Sequence, residues 1–274
     1  MITRIISGLI IVVVLIGMSL INLVFPFGMN LMIGILAALM IYEISEVFQL
    51  HRNWHYLIPS MAFGFGLPLI SNAYWYGACC GGYLLLLAVL MIIFHEKIVF
   101  TTWASCTGLV MLIATAMTTL VGIRNHANGH GAFYIFVVMM ASWVADAGAY
   151  FAGSFFGKHK LCPTLSPKKT IEGVFGGFFL NVLAMLVYGF FYNLLFCGNK
   201  LSISYLSLVL IGLICTVISI IGDLFFSFIK RSFDIKDYGH IIPGHGGFLD
   251  RFDSVLFVSP FLYFFLRLLP IIKI

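Results

Sequence analysis

Long apolar runs follow one another along nearly all of this 274-residue chain, and they restrict its possible folds more than any other feature. A run of about 20 apolar residues can cross the hydrocarbon core of a bilayer as one helix. The runs predicted to be transmembrane helices are residues 5–25, 30–50, 54–70, 76–93, 100–123, 132–156, 173–196, 203–228 and 254–272. The third and fourth are the shortest and could instead be re-entrant or interfacial.

The composition excludes a water-soluble or disordered protein. Hydrophobic residues make up 62% of the chain and charged residues 9%, with a mean hydropathy of +1.09. Soluble proteins are about a quarter charged, and disordered chains are poor in the aromatic residues that supply 16% here. The predicted fold is an all-α, polytopic membrane bundle of about nine helices. Residues 1–130 form its N-terminal helices and residues 131–274 a catalytic region, within one integrated membrane domain.

The basic residues predict an orientation and do not suggest a nucleic-acid partner. The net charge is +5, but the Lys and Arg residues occur in short scattered clusters without an aromatic-interleaved basic stripe. With nine spans, 11 of the 15 fall on one side, which the positive-inside rule assigns to the cytoplasm. All ten acidic residues also lie in or near that half. We therefore predict a multi-pass protein of the cell (inner) membrane with its active site facing the cytoplasm.

The first candidate site begins within the eighth run and extends past it. At 100° per residue, one helical face would carry Asp223, Ser227, Lys230, Arg231 and Asp234. A buried acid in a membrane helix costs at least about 2.5–3.5 kcal/mol unless compensated, so such acids are functional candidates. The alternative is an ion pair from Asp223 to Lys230 that only stabilises the helix end.

The glycine-rich segment that follows has two readings. Gly244, Gly246 and Gly247 surround His245 and allow N–H groups to turn inward as an anion-binding nest. Such a segment is also an ordinary tight connection between helices.

Asp250, Arg251 and Asp253 come next. The two acids share a helical face if the last helix begins there, although acids at a helix start also match the positive end of its dipole. Arg251 could bind a phosphate or only mark the interface. Carboxylates from two helix ends beside cations suit Mg²⁺ shared with a polyphosphate.

A second cluster precedes the seventh run. Ser166 followed by Pro167 predicts a helix N-terminus, with Lys168 and Lys169 in its first turn. Free N–H groups plus two ammonium charges predict a phosphate site, whereas contact with anionic lipid is the alternative for the lysines. In the sixth run, Asp146 lies among small residues and is predicted to face the bundle interior. A hydrogen-bonded packing acid is the alternative there.

These motifs together resemble the phosphatidate cytidylyltransferases, or CDP-diacylglycerol synthases. The resemblance rests on Ser227-x-Ile-Lys-Arg, Lys236-Asp-x-Gly, Ile242-Pro-x-His-Gly-Gly and Asp250-Arg-x-Asp, supported by Asp146-Ala-Gly-Ala-Tyr and Ser166-Pro-Lys-Lys-Thr-Ile-Glu-Gly. It implies cytidylyl transfer from CTP to phosphatidate with Mg²⁺, in a homodimer. The implied metal ligands are Asp223 and Asp250, with Asp253 close by, and the implied phosphate-handling residues are Lys230 and Arg231.

The predicted site is therefore divided into two groups by role. The catalytic group is Asp223, Lys230, Arg231, Asp250 and Asp253, of which the three acids also bind the metal. The substrate-binding group is Asp146, Ser166, Lys168, Lys169, Thr170, Ser227, His245, Gly246, Gly247 and Arg251. Two other classes of membrane protein fit the sequence less well. A CDP-alcohol phosphotransferase lacks its Asp-Gly-x-x-Ala-Arg motif here, and a transporter of an anionic substrate would place charges near the membrane midplane.

Overall fold

Helices account for most of this computed structural model, which describes residue 17 and residues 25–70, 72–126, 130–197, 201–241 and 246–273. The α-helices are α1 (Pro26–Val47), α2 (Trp54–Gly66), α3 (Ala73–Ile93), α4 (Phe100–Asn125), α5 (Gly131–Met139), α6 (Ala145–Phe156), α7 (Ile171–Tyr192), α8 (Tyr205–Ser232) and α9 (Leu249–Leu268). The strands are β1 (Lys160–Cys162), β2 (Ser166–Thr170), β3 (Ser202–Ile203) and β4 (Ile272–Lys273). Each pair of strands is antiparallel, β1 with β2 and β3 with β4.

Six helices of the described residues are long and apolar enough to cross a membrane. They are Phe27–Val47, Tyr74–Ile93, Phe100–Asn125, Gly131–Phe156, Ile171–Phe196 and Tyr205–Ser232. The fourth of these combines α5 and α6 through a π-helical turn at Met140–Val144, and the fifth extends α7 into a second π-helical turn at Asn193–Cys197. The sixth and seventh predicted runs therefore each match a single helical rod. The protein is thus an all-α, multi-pass membrane protein by the length and composition of its helices.

The three remaining predicted runs have different outcomes. Residues 5–24 lie outside the described part of the chain, apart from residue 17. The third run forms only the 13-residue helix α2, which contains Pro59, followed by a short 3₁₀ turn at Leu67–Leu69. The last run lies largely in α9, a 20-residue helix that starts five residues before residue 254 and so includes Asp250 and Asp253. The total of nine spans stays a prediction.

The chain divides into two compact units. The N-terminal unit contains Met1–Val121 and Ile235–Phe252, and the C-terminal unit contains Gly122–Asp234 and Asp253–Ile274. In the N-terminal unit, α1 packs on α2 and the segment before α9 returns to α1. In the C-terminal unit, α7 packs on α6 and α8. The predicted boundary at residue 130 stays a prediction.

Small residues allow α6 and α7 to pack at very short range in the C-terminal unit. A Cβ atom at Gly148 would lie 2.8 Å from the carbonyl oxygen of Gly176, and one at Gly177 would lie 2.9 Å from that of Ala145. Larger side chains would separate the two helices. These close contacts involve the small residues around Asp146, whose own side chain is half-buried.

The predicted helix start at Ser166 is wrong. Ser166–Thr170 is strand β2, which pairs with β1, and α7 begins at Ile171. Thr170 is the N-cap, since its hydroxyl accepts a hydrogen bond from the N–H of Gly173 at 3.1 Å. Pro167 has no N–H to donate and is compatible with a two-stranded ribbon, where one edge of each strand is unpaired. Lys168 and Lys169 therefore precede the helix, and the prediction that they lie in its first turn is also wrong.

Asp234 does not share the helical face predicted for it. Helix α8 ends at Ser232, and Asp234 has a positive φ of 53°. A residue in this left-handed conformation ends a helix, and Asp tolerates it better than most side chains. Asp223, Ser227, Lys230 and Arg231 remain within α8.

Candidate functional site

Two acids of the C-terminal unit meet at the hydroxyl group of Ser254. The Ser254 Oγ donates a hydrogen bond toward Asp146 Oδ2 at 3.2 Å and lies 3.3 Å from Asp253 Oδ1. Asp146 comes from the first turn of α6 and Asp253 from the start of α9. The structure thus brings together two predicted site acids that are 107 positions apart in the sequence.

Asp223 of α8 forms an ion pair with Lys169 of β2. The Lys169 side chain is 18% exposed and that of Asp223 is 23% exposed, so the pair is largely shielded from solvent. Lys169, which lies in the strand before α7, therefore neutralises the half-buried Asp223, and the pairing of Asp223 with Lys230 that the sequence also allows stays a prediction.

The β1–β2 hairpin is closed at its base by a second pair of side chains. Glu172, in the first turn of α7, accepts hydrogen bonds from the backbone N–H of His159 at 3.2 Å and from its Nδ1 at 2.6 Å. The Ile171 N–H also donates to the His159 carbonyl oxygen at 2.9 Å. These contacts fix both ends of the hairpin to α7 and so hold Lys169 in place.

Asp253 is the most deeply buried acid of this cluster, with 6% of its surface exposed. Asp223, Lys230 and Asp146 are all near enough to interact electrostatically with its carboxylate. Three carboxyl groups therefore share this region with two ammonium groups, those of Lys169 and Lys230. A bound cation would favour the ionised form of these acids.

The other predicted residues of this unit occupy more varied positions. Ser227 is buried, Lys168 is exposed, and Thr170 is buried as the cap of α7. Arg231 is exposed, and its Nε contacts the carbonyl oxygen of Leu165 in the hairpin loop at 3.4 Å. Ser166 is half-buried and pairs with Cys162 across the hairpin. The roles predicted for these residues stay predictions.

In the N-terminal unit, Asp250 binds the backbone that precedes α9. Its Oδ2 accepts hydrogen bonds from the N–H of Tyr238 at 2.8 Å and from that of Gly247 at 3.0 Å. Gly246 has a φ of +80°, and a Cβ atom there would lie 2.9 Å from the same oxygen. Only glycine combines this conformation with so close an approach.

The Gly247 N–H is thus directed at a carboxylate of the protein rather than at a phosphate. The next two N–H groups, of Phe248 and Leu249, donate to the carboxylate of Glu43. The anion-binding nest predicted at these glycines is therefore filled by the protein's own acids where the structure describes it. His245 and Gly244 lie outside the described residues, and Arg251 is half-buried in the first turn of α9.

Sequence reasoning missed Glu43, Ser254 and Glu172. Glu43 lies near the end of the second predicted run and is 1% exposed, whereas its neighbour Glu46 is exposed. An acid inside an apolar run is a functional candidate by default, and that rule would have selected Glu43. Ser254 and Glu172 carry no such signal, because their partners are set by the packing of helices and the hairpin.

The donor set of the C-terminal unit fits Mg²⁺. Carboxylate and hydroxyl oxygens are its preferred ligands, and it usually takes one or two carboxylates plus phosphate oxygens and water. Within the described ranges, no three His, Cys, Asp or Glu side chains form a compact metal-binding group. A site shared with a substrate polyphosphate does not need one, and Asp223 and Asp253 are the carboxylates that could hold the ion there.

Comparison with known proteins gives consistent results. Residues 2–269 match the model of the cytidylyltransferase family. The chain is 39% identical over 220 residues to a phosphatidate cytidylyltransferase of Bacillus subtilis (strain 168), covering 78% of this chain and 76% of that protein. It is 34% identical over 208 residues to one of Haemophilus influenzae, covering 73% and 68%. A Staphylococcus epidermidis protein of the same name is 43% identical over 135 residues, about half of each chain.

Proposed function

Because this chain belongs to the cytidylyltransferase family, we propose that it transfers a cytidylyl group from CTP to phosphatidate, forming CDP-diacylglycerol and pyrophosphate for phospholipid biosynthesis. The relatives that support this reaction are named phosphatidate cytidylyltransferases and align over at least two thirds of their length in two cases. The family predicted from the sequence motifs is thereby confirmed.

The observation that carries the proposal is the charge cluster of the C-terminal unit. Asp146, Asp223 and Asp253 converge with Lys169 and Lys230 in a bundle of apolar helices. Burying acidic and basic side chains among apolar helices costs free energy, so such clusters are candidates for functional sites. Nucleotidyl transfer between a lipid phosphate and a nucleoside triphosphate requires both signs, since cations bind the phosphates and carboxylates bind their metal.

In the proposed reaction, a phosphate oxygen of phosphatidate attacks the α-phosphorus of CTP. A new P–O bond forms there, and the bond from that phosphorus to the oxygen bridging to the β-phosphate breaks, which releases pyrophosphate. Negative charge develops on the phosphoryl oxygens and the leaving group, so positioned cations accelerate the step. Lys230 would supply positive charge for this step. Lys169 would do the same once a substrate phosphate displaces Asp223 as its partner.

We propose Mg²⁺ as the cofactor, held by Asp223 and Asp253, with Asp250 as the further ligand predicted from the sequence. The metal would neutralise the triphosphate and stabilise the leaving pyrophosphate. Asp146 would orient Ser254 through their hydrogen bond and so fix the neighbouring Asp253. The excess of carboxylates over ammonium groups supports this assignment.

We further propose that the enzyme spans the cell membrane nine times, with the charged site on the cytoplasmic face. The bias of 11 of 15 basic residues toward one side supports this orientation, and CTP is a cytoplasmic substrate. The proposal of a homodimer rests on the family resemblance alone.

Purified protein in detergent tests the reaction directly. We expect pyrophosphate release that requires both CTP and phosphatidate, together with formation of CDP-diacylglycerol. Replacing phosphatidate with diacylglycerol removes the attacking phosphate and should give little product. Replacing CTP with ATP tests the specificity for the cytosine base and should also give little product. Pyrophosphate release that does not depend on phosphatidate would contradict the proposal.

A further inference from the structure

Glu43 lies near the end of α1, in a helix apolar enough to cross a membrane, and is 1% exposed. Burying a carboxylate is costly unless its oxygens are hydrogen-bonded. Here both oxygens are, because Phe248 donates to Oε1 at 2.9 Å and Leu249 to Oε2 at 2.8 Å. Glu43 thus binds a backbone segment about 205 positions further along the chain, within the same unit.

That segment is the start of α9. The first N–H groups of a helix have no partner within it, and the positive end of the helix dipole lies there. The Glu43 carboxylate accepts hydrogen bonds from two N–H groups at this helix start and places a negative charge at the positive end of the dipole. Phe248, the residue before α9, has no polar side-chain atom with which to cap the helix itself, so the cap comes from α1.

The same backbone turn carries Asp250. The Gly247 N–H, next to that of Phe248, donates to Asp250 Oδ2 at 3.0 Å. Three consecutive N–H groups, at Gly247, Phe248 and Leu249, are therefore directed at the two carboxylates of Asp250 and Glu43. A shift of this turn would move both contacts together.

Two glycines allow the backbone to approach Glu43. A Cβ atom at Gly247 would lie 2.5 Å from each carboxylate oxygen, and one at Gly239 would lie 2.7 Å from Oε1. Tyr238, which precedes Gly239, donates its N–H to Asp250. The described residues on both sides of the glycine-rich segment, 238–239 and 246–249, therefore contact Glu43 or Asp250.

From these contacts we propose that Glu43 is a positioning residue: it fixes the turn at the start of α9 and thereby sets the orientation of Asp250 for cytidylyl transfer. The catalytic part of this inference rests on the proposed function, whereas the clamp itself rests on the geometry. Glu43 touches backbone alone in these contacts and takes no part in bond making.

The test compares the wild type with Glu43→Gln, Glu43→Asp and the control Glu46→Gln. Gln keeps the size of Glu but presents an NH₂ group to one of the two backbone N–H groups. Asp keeps both oxygens on a shorter chain. Glu46 is exposed on the same helix, so its substitution changes the same charge without touching α9.

Two readouts are needed: the kinetics with CTP and phosphatidate, and hydrogen exchange of the amides at residues 247–249. We expect Glu43→Gln to lower kcat by about 10- to 100-fold, as partners that orient catalytic ligands typically do, with the KM for phosphatidate within about twofold of the wild type. Exchange at residues 247–249 should be faster. Glu43→Asp should restore part of both, and Glu46→Gln should match the wild type.

A Glu43→Gln protein with wild-type kcat would overturn the positioning role, and unchanged exchange at residues 247–249 would overturn the clamp. An equal loss in Glu46→Gln would also overturn it, because the effect would then follow from charge alone. If the wild type releases no pyrophosphate from CTP and phosphatidate, the proposed function fails, while the exchange rates still decide the clamp. Should Glu43→Gln not fold, Glu43→Asp decides by the same two readouts.

Discussion

Lys169 forms an ion pair with Asp223, and this contact joins the strand before α7 to the first residue of the charged face of α8. The lysine next to it, Lys168, is exposed. Two adjacent lysines of one motif therefore have different environments, which makes their roles separable by mutation.

We expect Lys169→Ala to lower activity much more than Lys168→Ala. Loss of Lys169 leaves the Asp223 carboxylate without its partner, and removing one member of a shielded pair is more damaging than removing an exposed charge. Steady-state kinetics should show at least a tenfold loss of kcat/KM for CTP in Lys169→Ala. The double variant should keep membrane insertion, because nine other basic residues remain on the predicted cytoplasmic side.

An unchanged KM for CTP in the double variant would favour the other interpretation of this motif, in which the lysines contact lipid headgroups. In that case activity in detergent would hardly change, and the dependence on anionic lipid would shift instead. Lys168→Ala is the matched control within the same strand.

The second prediction concerns the carboxylates assigned to the metal. Asp223→Asn, Asp250→Asn and Asp253→Asn should each reduce turnover by at least about a hundredfold, because an amide oxygen is a poor Mg²⁺ ligand beside a triphosphate and the loss falls on transition-state charge. Turnover should be measured across a Mg²⁺ titration. Asp234→Asn is the control, since Asp234 is exposed and lies beyond the end of α8.

Near-normal turnover at saturating Mg²⁺ would remove an acid from the metal site. For Asp250 this result would be especially informative, because its Oδ2 already binds two backbone N–H groups. A variant that loses activity and also gains rapid hydrogen exchange at residues 247–249 would show that Asp250 holds the loop as well.

The sequence predicted the helices well because each consists of an uninterrupted apolar run. The runs from residue 76 to residue 228 all lie in helices of the structure, with ends that differ by a few residues. The helix start predicted at Ser166 and Pro167 was wrong because a Ser-Pro pair is compatible with a helix N-terminus and also with a short strand. The pairing of this segment with β1 selects the strand. Asp234 leaves the helical face for a local reason, its left-handed backbone.

The sequence selected several side chains that the structure brings together, but it did not predict their contacts. Asp146 and Asp223 were selected as acids within apolar runs, and Asp253 was selected with Asp250 and Arg251 just before the last run. Their partners Ser254 and Lys169 depend on which helices and strands become neighbours, which one sequence does not show. Glu43 is the most informative omission, because its partners are backbone N–H groups, and these leave no trace in residue identity.

The third prediction uses the short distance between Gly247 and Glu43. Gly247→Ala places a methyl group 2.5 Å from both carboxylate oxygens, so either Glu43 or the turn before α9 must move. We expect a lower thermal unfolding midpoint and at least a tenfold lower kcat. Gly108→Ala is the control, because a Cβ atom at that position in α4 has nothing within 4 Å. A Gly247→Ala variant that matches Gly108→Ala in both measurements would contradict the packing described for Glu43.

The last prediction concerns orientation. In a protein without native cysteines, cysteines introduced at Lys160 and Lys236 should react with impermeant thiol reagents from the cytoplasmic side alone, and one at Lys200 from the opposite side alone. Lys160 in β1 and Lys236 before α9 are both exposed, whereas Gly239, although close by, packs against Glu43 and would be disturbed by a side chain. Lys200 lies outside the described residues, and its side follows from the positive-inside rule.

Labelling of positions 160 and 200 from the same side would show that α7 does not cross the bilayer. Labelling of positions 160 and 236 from opposite sides would show that α7 and α8 do not both cross the bilayer.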